Sequence, residues 1–173
     1  MTMPSGLMVA LPALVVVAVT MVVEAEISKR HERMLRVRGA FEPARDVYRL
    51  MQLAYPLSFV AMAVEGAVSR VPHLPLWVFG AALFLVAKLL KYWAIASLGD
   101  RWTFRVLVPV GETLVSDGPY RWMTHPNYIA VIGELLGMAF MMRSVVAGPV
   151  AILGFGMLIT RRIAVENRAL GRL

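Results

Sequence analysis

Cysteine is absent from the 173 residues, and histidine occurs only three times. The first absence excludes disulfides, zinc thiolates and thiol nucleophiles. The second leaves too few imidazoles for a histidine metal cluster, because His31 and His73 fall on opposite faces of the membrane layer deduced below, so no metal is expected. Charge is also scarce: 17% of the residues are charged and 59% are hydrophobic, a balance far more apolar than that of soluble domains. No Gly-rich phosphate loop, internal repeat or low-complexity tract is visible. The first apolar run lacks a basic segment before it and is too long for the core of a signal peptide, so it reads as a membrane span.

A helix crosses the hydrocarbon layer with about 20 apolar residues. Residues 7–27, 47–68 and 74–97 meet that length, and two shorter runs follow at 126–142 and 144–160. The expectation is an all-α integral membrane protein of about five transmembrane helices, forming one domain over residues 1–173, with the lipid bilayer as its surroundings. The alternative for the last two runs is a buried hairpin in a soluble protein. With five spans, the external connections carry only Arg70 and Arg143, Lys88 and Lys91 lie inside the third span, and every other Lys and Arg falls on one face. The positive-inside rule makes that face cytoplasmic. The net charge of +7 is therefore a membrane-flank feature, and no nucleic-acid partner is expected. The basic connection 28–49 either fixes orientation or lies along anionic lipid.

The stretch GETLVSDGPYRWMTHPNYIAVIGELLG, residues 111–137, is polar and turn-rich yet runs straight into an apolar helix. Asp117, Gly118 and Pro119 are turn residues, and His125 before Pro126 is biased away from helical dihedrals, so a helix should begin at Pro126. A helix start offers unpaired N–H groups to an anion, and Tyr120 and Tyr128 add aromatic faces for a cationic or planar group. An interfacial aromatic belt with a helix cap is the plainer account. In the C-terminal RRIAVENRAL, Arg162 and Glu166 are four residues apart on one helical face, where the fifth span leaves the membrane on the same side. Glu65, Lys88, Lys91 and Glu134 lie inside spans, where ionisable groups are costly. Glu134 is expected either to pair with Lys88 or Lys91 or to line an acceptor tunnel, and Lys91 to snorkel.

These residues give the chain a resemblance to the isoprenylcysteine carboxyl methyltransferase family of integral-membrane enzymes dependent on S-adenosyl-L-methionine. It covers roughly residues 102–170, and its carriers are ETLVSDGPY, HPNY and the Arg-x-x-x-Glu of RIAVE. The resemblance implies a cytoplasmic site formed by the loop before the fourth helix and by the C-terminal helix. It places Glu112, Thr113, Leu114, Val115, Tyr120, His125, Pro126, Asn127, Tyr128 and Glu166 on the cofactor, with Arg105 a further polar contact. Arg162 would meet the substrate, and Arg162 and Glu166 would be the catalytic pair. Thr124 stands where the family commonly has arginine, and Asn167 where it commonly has a second glutamate, which makes Asn167 a substrate contact that hints at a different acceptor.

The activity so implied is O-methylation of a lipophilic small molecule, either a phenolic lipid of the alkylresorcinol type or a prenylcysteine carboxylate. Such a transfer needs alignment of two reactants and exclusion of water rather than a metal. A carboxylate could be held bidentately by Arg162, whereas a phenol additionally needs a proton acceptor, Glu166 or His125. Membrane sterol and steroid reductases carry a related Gly-Pro-Tyr and His-Pro-Asn-Tyr stretch, so an NADPH-dependent reductase is one alternative and a non-catalytic membrane adaptor is another.

Overall fold

The computed structural model describes residues 5–44, 46–68, 73–109, 115–169 and 171. Five α-helices carry the fold: α1 Ser5–Val37, α2 Tyr48–Val68, α3 Leu74–Leu98, α4 Pro126–Met142 and α5 Ala147–Ala169. Among the described residues the only β pairing is an isolated antiparallel bridge between Phe41 and Val108. Four helices, α1, α2, α3 and α5, are long and apolar enough to cross a membrane. The expected fifth, α4, has 17 residues and a length of roughly 25 Å. It is the shortest of the five and packs among the others, with Ala130, Leu135 and Met138 almost wholly buried.

Two expected boundaries are corrected. The first helix does not end near residue 27 but continues through Val37, because residues 28–37 are mostly Arg, Lys, Glu, Leu and Met, good helix formers that hydropathy ignores. The helix stops only at Gly39, which has φ of 82°. Of the basic 28–49 stretch, residues 28–37 therefore belong to α1, where Arg36 meets Glu42 at 2.6 Å, and Arg38 just beyond the helix meets Asp100 at 2.5 Å. The last helix also begins later and ends later than the 144–160 run, since Ser144 and Val145 are spent in the turn. There the Glu65 carboxylate of α2 accepts hydrogen bonds from the N–H groups of Val145, Val146 and Ala147. These are orphan donors that any helix start must satisfy.

The α3 and α4 helices pack closest, and glycine is the reason. A Cβ on Gly137 would lie 2.7 Å from the Phe84 nitrogen and 2.8 Å from the Gly80 oxygen, so the two backbones touch where no side chain fits. The helices alternate in direction. This gathers the end of α1, the start of α2, the end of α3, the start of α4 and the end of α5 at one pole. His31 Nδ1 to the Trp102 carbonyl at 2.8 Å and Ser28 Oγ to the Phe104 N–H at 2.8 Å fasten α1 to the segment after α3 there.

Candidate functional site

Helix α4 starts at Pro126, as the His-Pro step predicts. His125 is its N-cap with φ −134° and ψ 61°, and the His125 carbonyl accepts the Tyr128 N–H at 3.1 Å. The preceding Gly118–Arg121 forms a 3-10 turn that lies on the end of α3. Gly118 has φ of 56°, and a Cβ there would fall 2.0 Å from Ser97 Oγ, so both dihedral and space require glycine. This turn sets Tyr120 beside α4. Burial first, then the charge of Glu166, pushes the Tyr120 hydroxyl above the ordinary phenol range, so it remains a neutral donor.

Tyr128 joins the two C-terminal residues of interest. Its hydroxyl accepts from Arg162 Nε at 2.9 Å and donates to Glu166 Oε2 at 2.8 Å. His125 Nδ1 is 3.9 Å from the same Glu166 oxygen, and its ring lies 5.5 Å from that of Tyr128. The buried Arg162 guanidinium makes two further attachments, Nη1 to Asp46 Oδ1 at 3.2 Å and Nη2 to the Phe104 carbonyl. Asp46 in turn accepts the Tyr48 and Val106 N–H groups, each at 3.2 Å. A buried carboxylate is thus fixed against a buried guanidinium by two backbone donors.

Around this junction lie two cavities. The larger, about 450 Å³, has a mainly apolar wall that includes Met21, Met51, Pro56, Val131 and Phe155. The smaller, about 290 Å³, is lined by Val115, Tyr120, His125, Asn127, Tyr128 and Glu166. Thr103, Arg105, Asn127, Tyr128 and Arg162 border both. Arg105 closes the junction from the α1 side: Nη1 is 2.7 Å from Glu42, Nε is 3.4 Å from Glu32, and the guanidinium sits 4.6 Å from the Tyr48 ring centre. Burial tends to raise the Glu42 pKa, but its hydrogen bonds to Arg36 and Arg105 and their charges outweigh burial and hold the carboxyl below its usual value.

The sequence-predicted residues divide accordingly. Val115, Tyr120, His125, Asn127, Tyr128, Arg162 and Glu166 converge on the smaller cavity. Pro126 is buried at the helix start and Asn167 faces neither cavity. Glu112, Thr113 and Leu114 lie outside the described residues. Residues that sequence reasoning missed are Asp46, Glu32 and the Phe104 carbonyl. An acid set among the many cations of the 28–49 connection, as Glu32 and Glu42 also are, was the available signal for Asp46. Lys91 does not snorkel: it is 2% exposed and pairs with Glu24 and Glu134, while Glu134 also meets Lys88 as expected.

The arrangement offers two chambers, the smaller the more polar of the two, meeting at a tyrosine that is hydrogen-bonded to a cation on one side and an anion on the other. Among the described residues no group of His, Asp or Glu is placed to hold a metal ion. The isoprenylcysteine carboxyl methyltransferase (ICMT) family model matches residues 80–172, a span that contains α4, α5 and both walls of the smaller cavity. Over 147 residues the chain is 31% identical to the uncharacterized protein YpbQ of Bacillus subtilis (strain 168), covering 85% of this chain and 88% of that one. It is 22% identical over 148 residues to an uncharacterized protein of Haemophilus influenzae, covering 85% of this chain and 86% of that one.

Proposed function

The chain belongs to the isoprenylcysteine carboxyl methyltransferase family, and from that premise we propose that it transfers the methyl group of S-adenosyl-L-methionine to an oxygen of a lipophilic small molecule at the membrane boundary. The observation that carries this reading is the shared wall: Tyr128, Arg162 and Asn127 border both the smaller, more polar cavity and the larger, less polar one. An enzyme that joins a water-soluble donor to a lipophilic acceptor needs two such chambers meeting at one place.

The residues of the smaller cavity fit the donor. His125 Nε2 is buried without a hydrogen-bond partner among the described residues, and a buried polar atom left in that state implies a missing partner. Tyr120 supplies an aromatic wall beside a carboxylate, Glu166, both suited to a molecule that carries positive charge. When bound, S-adenosyl-L-methionine supplies a methyl group on a cationic sulfur. The chain's own task is to hold the acceptor oxygen at the Tyr128 and Arg162 junction and to exclude water there.

Arg162 favours a phenol over a carboxylate as that acceptor. Its guanidinium already carries the Asp46 carboxylate, and a second carboxylate would place two anions on one buried cation. A phenol brings no charge of its own. Its proton has a path through the Tyr128 hydroxyl to Glu166, which already accepts that hydrogen bond. The reading is therefore O-methylation of a phenolic lipid, with the site on the cytoplasmic face as the positive-inside rule implies.

Two measurements test it. Purified protein is expected to bind S-adenosyl-L-methionine and not NADPH; NADPH binding alone would make the chain a reductase, and binding of neither would leave an adaptor. Membranes supplied with labelled cofactor and an alkylresorcinol should then form an aryl methyl ether, which survives mild base. Label found only in base-labile methyl ester would overturn the phenol assignment.

A further inference from the structure

Tyr120 turns inward to the smaller cavity, but the residues that follow it turn the other way. Trp122 is 68% exposed and Met123 38%, although the N–H groups of both are held by the Pro119 carbonyl, at 3.2 and 3.0 Å. The turn therefore has two sides. Its inner side gives Tyr120 to the cavity, with His125 close behind, and its outer side presents a broad apolar surface that no described residue covers.

What that surface meets follows from where the turn is fixed. The Trp122 ring packs edge-on against Trp93 of α3, with centroids 5.8 Å apart, and a Cβ on Gly118 would come 3.1 Å from Trp93 Nε1. The depth of the turn is thus the depth of Trp93. Val86, Leu89 and Trp93 recur at helical spacing along the exposed face of α3, a helix apolar enough to cross the membrane, so this stripe faces lipid. With 25 residues, α3 is roughly 37 Å long against a hydrocarbon layer of about 30 Å. Trp93, five residues before its last residue, falls at the edge of that layer.

The chemistry of the surface suits that level. An indole has an apolar body and one N–H that needs a wet partner, and neither the Trp93 nor the Trp122 N–H donates to a described residue. Arg121, next to them, is exposed and pairs with no acid among the described residues. Two free donors, an apolar body and an unpaired cation complement the ester carbonyls, upper acyl chains and phosphate of a phospholipid.

We propose that the turn 118–123 is seated in the leaflet at this pole, with Trp93, Trp122 and Met123 in the glycerol-ester layer and Arg121 at the phosphates. The partner is the phospholipid of the bilayer itself. One wall of the smaller cavity is thereby backed by lipid rather than by protein.

Depth is measured without any ligand, so the result stands apart from the methyltransferase reading. The absence of cysteine lets Met123→Cys carry a single nitroxide label in nanodiscs of phosphatidylcholine and phosphatidylglycerol. Leu89→Cys, on the exposed face of α3, is the acyl-chain reference, and Val37→Cys, at the far basic end of α1, is the aqueous one. The label at position 123 should collide more with lipid-soluble oxygen than with a water-soluble nickel chelate, at a depth between the two references. Collision with the chelate as frequent as at position 37 would overturn the proposal. Shielding from both agents, or dipolar broadening between labels, would do the same by putting another protein or a second copy on this face. Should the labelled variant fail to fold, the emission that wild type loses in Trp122→Phe decides: it should be quenched by phospholipid brominated high on its chains and spared by aqueous iodide, and the opposite pattern would place Trp122 in water.

Discussion

Arg162 and Glu166, one turn apart on α5, meet through the hydroxyl of Tyr128, which accepts from the first at 2.9 Å and donates to the second at 2.8 Å. The Arg-x-x-x-Glu spacing alone suggests an exposed helix brace, but here both side chains turn inward onto a residue of α4. The hydroxyl links cation and anion, and Tyr128 borders both cavities.

Tyr128→Phe removes that atom and keeps the ring. Hydrogen bonds to charged partners are worth about 1.5 to 3 kcal/mol, so turnover should fall roughly 10- to 100-fold while the ring still packs against His125. Cofactor affinity, measured by calorimetry, should change far less than turnover. Unaltered turnover would remove Tyr128 from the proton path and leave it a wall residue.

Arg162→Lys tests the fork rather than the charge. Arg162 reaches Tyr128, Asp46 and the Phe104 carbonyl from three different nitrogens, and a lysine presents a single one. Turnover should drop at least tenfold, with a smaller loss of cofactor affinity. Asp46→Asn should act in the same direction more weakly, because it keeps an acceptor while losing the charge that orients the guanidinium. Equal losses of turnover and cofactor affinity in Arg162→Lys would move this residue to the cofactor side.

How much of this was legible in the chain depends on how local each cause is. The start of α4 could be read because one peptide step, His125 to Pro126, fixes it. The convergence of Tyr120, His125, Tyr128, Arg162 and Glu166 could be expected because two motifs carry it. The role of Asp46 could not, since its partner Arg162 lies 116 residues away. Glu24 sat in plain view as an acid within an apolar run, yet its lysines are on another helix and only the packing of α1 on α3 brings them together. The extent of α1 escaped because hydropathy reports where a helix is greasy and not where it ends.

Acid should loosen the connection between α1 and α2. Glu42 links Arg36 and Arg105, and its carboxyl titrates below the ordinary value because those cations outweigh burial. A depressed folded-state pKa means the contribution is fully present above the unfolded value, about 4.3, and is lost as pH falls through the lower folded value. Unfolding midpoints of wild type and Glu42→Gln, followed in detergent, should therefore converge as pH drops toward and below that range and diverge above it. A constant gap between the two across pH would show that Glu42 acts through packing and not through its charge.

The buried quartet of Glu24, Lys88, Lys91 and Glu134 sets up the sharpest stability test, because a balanced cluster fails differently when one charge goes than when a pair goes. Lys88 touches both carboxylates and is buried, so Lys88→Met leaves two glutamates sharing Lys91. Breaking a buried pair in this way costs about 3 to 5 kcal/mol. Removing one carboxylate as well, in Lys88→Met with Glu134→Gln, restores one cation facing one anion and keeps an acceptor for the Tyr55 hydroxyl, which donates to Glu134. The double variant should then be less destabilised than the sum of the two single variants, a non-additivity that touching residues produce. Thermal unfolding of the four proteins in one detergent measures it. Strict additivity would mean that the lysines and glutamates do not share their charges as the distances require, and that Lys88 contributes only through its hydrocarbon stem.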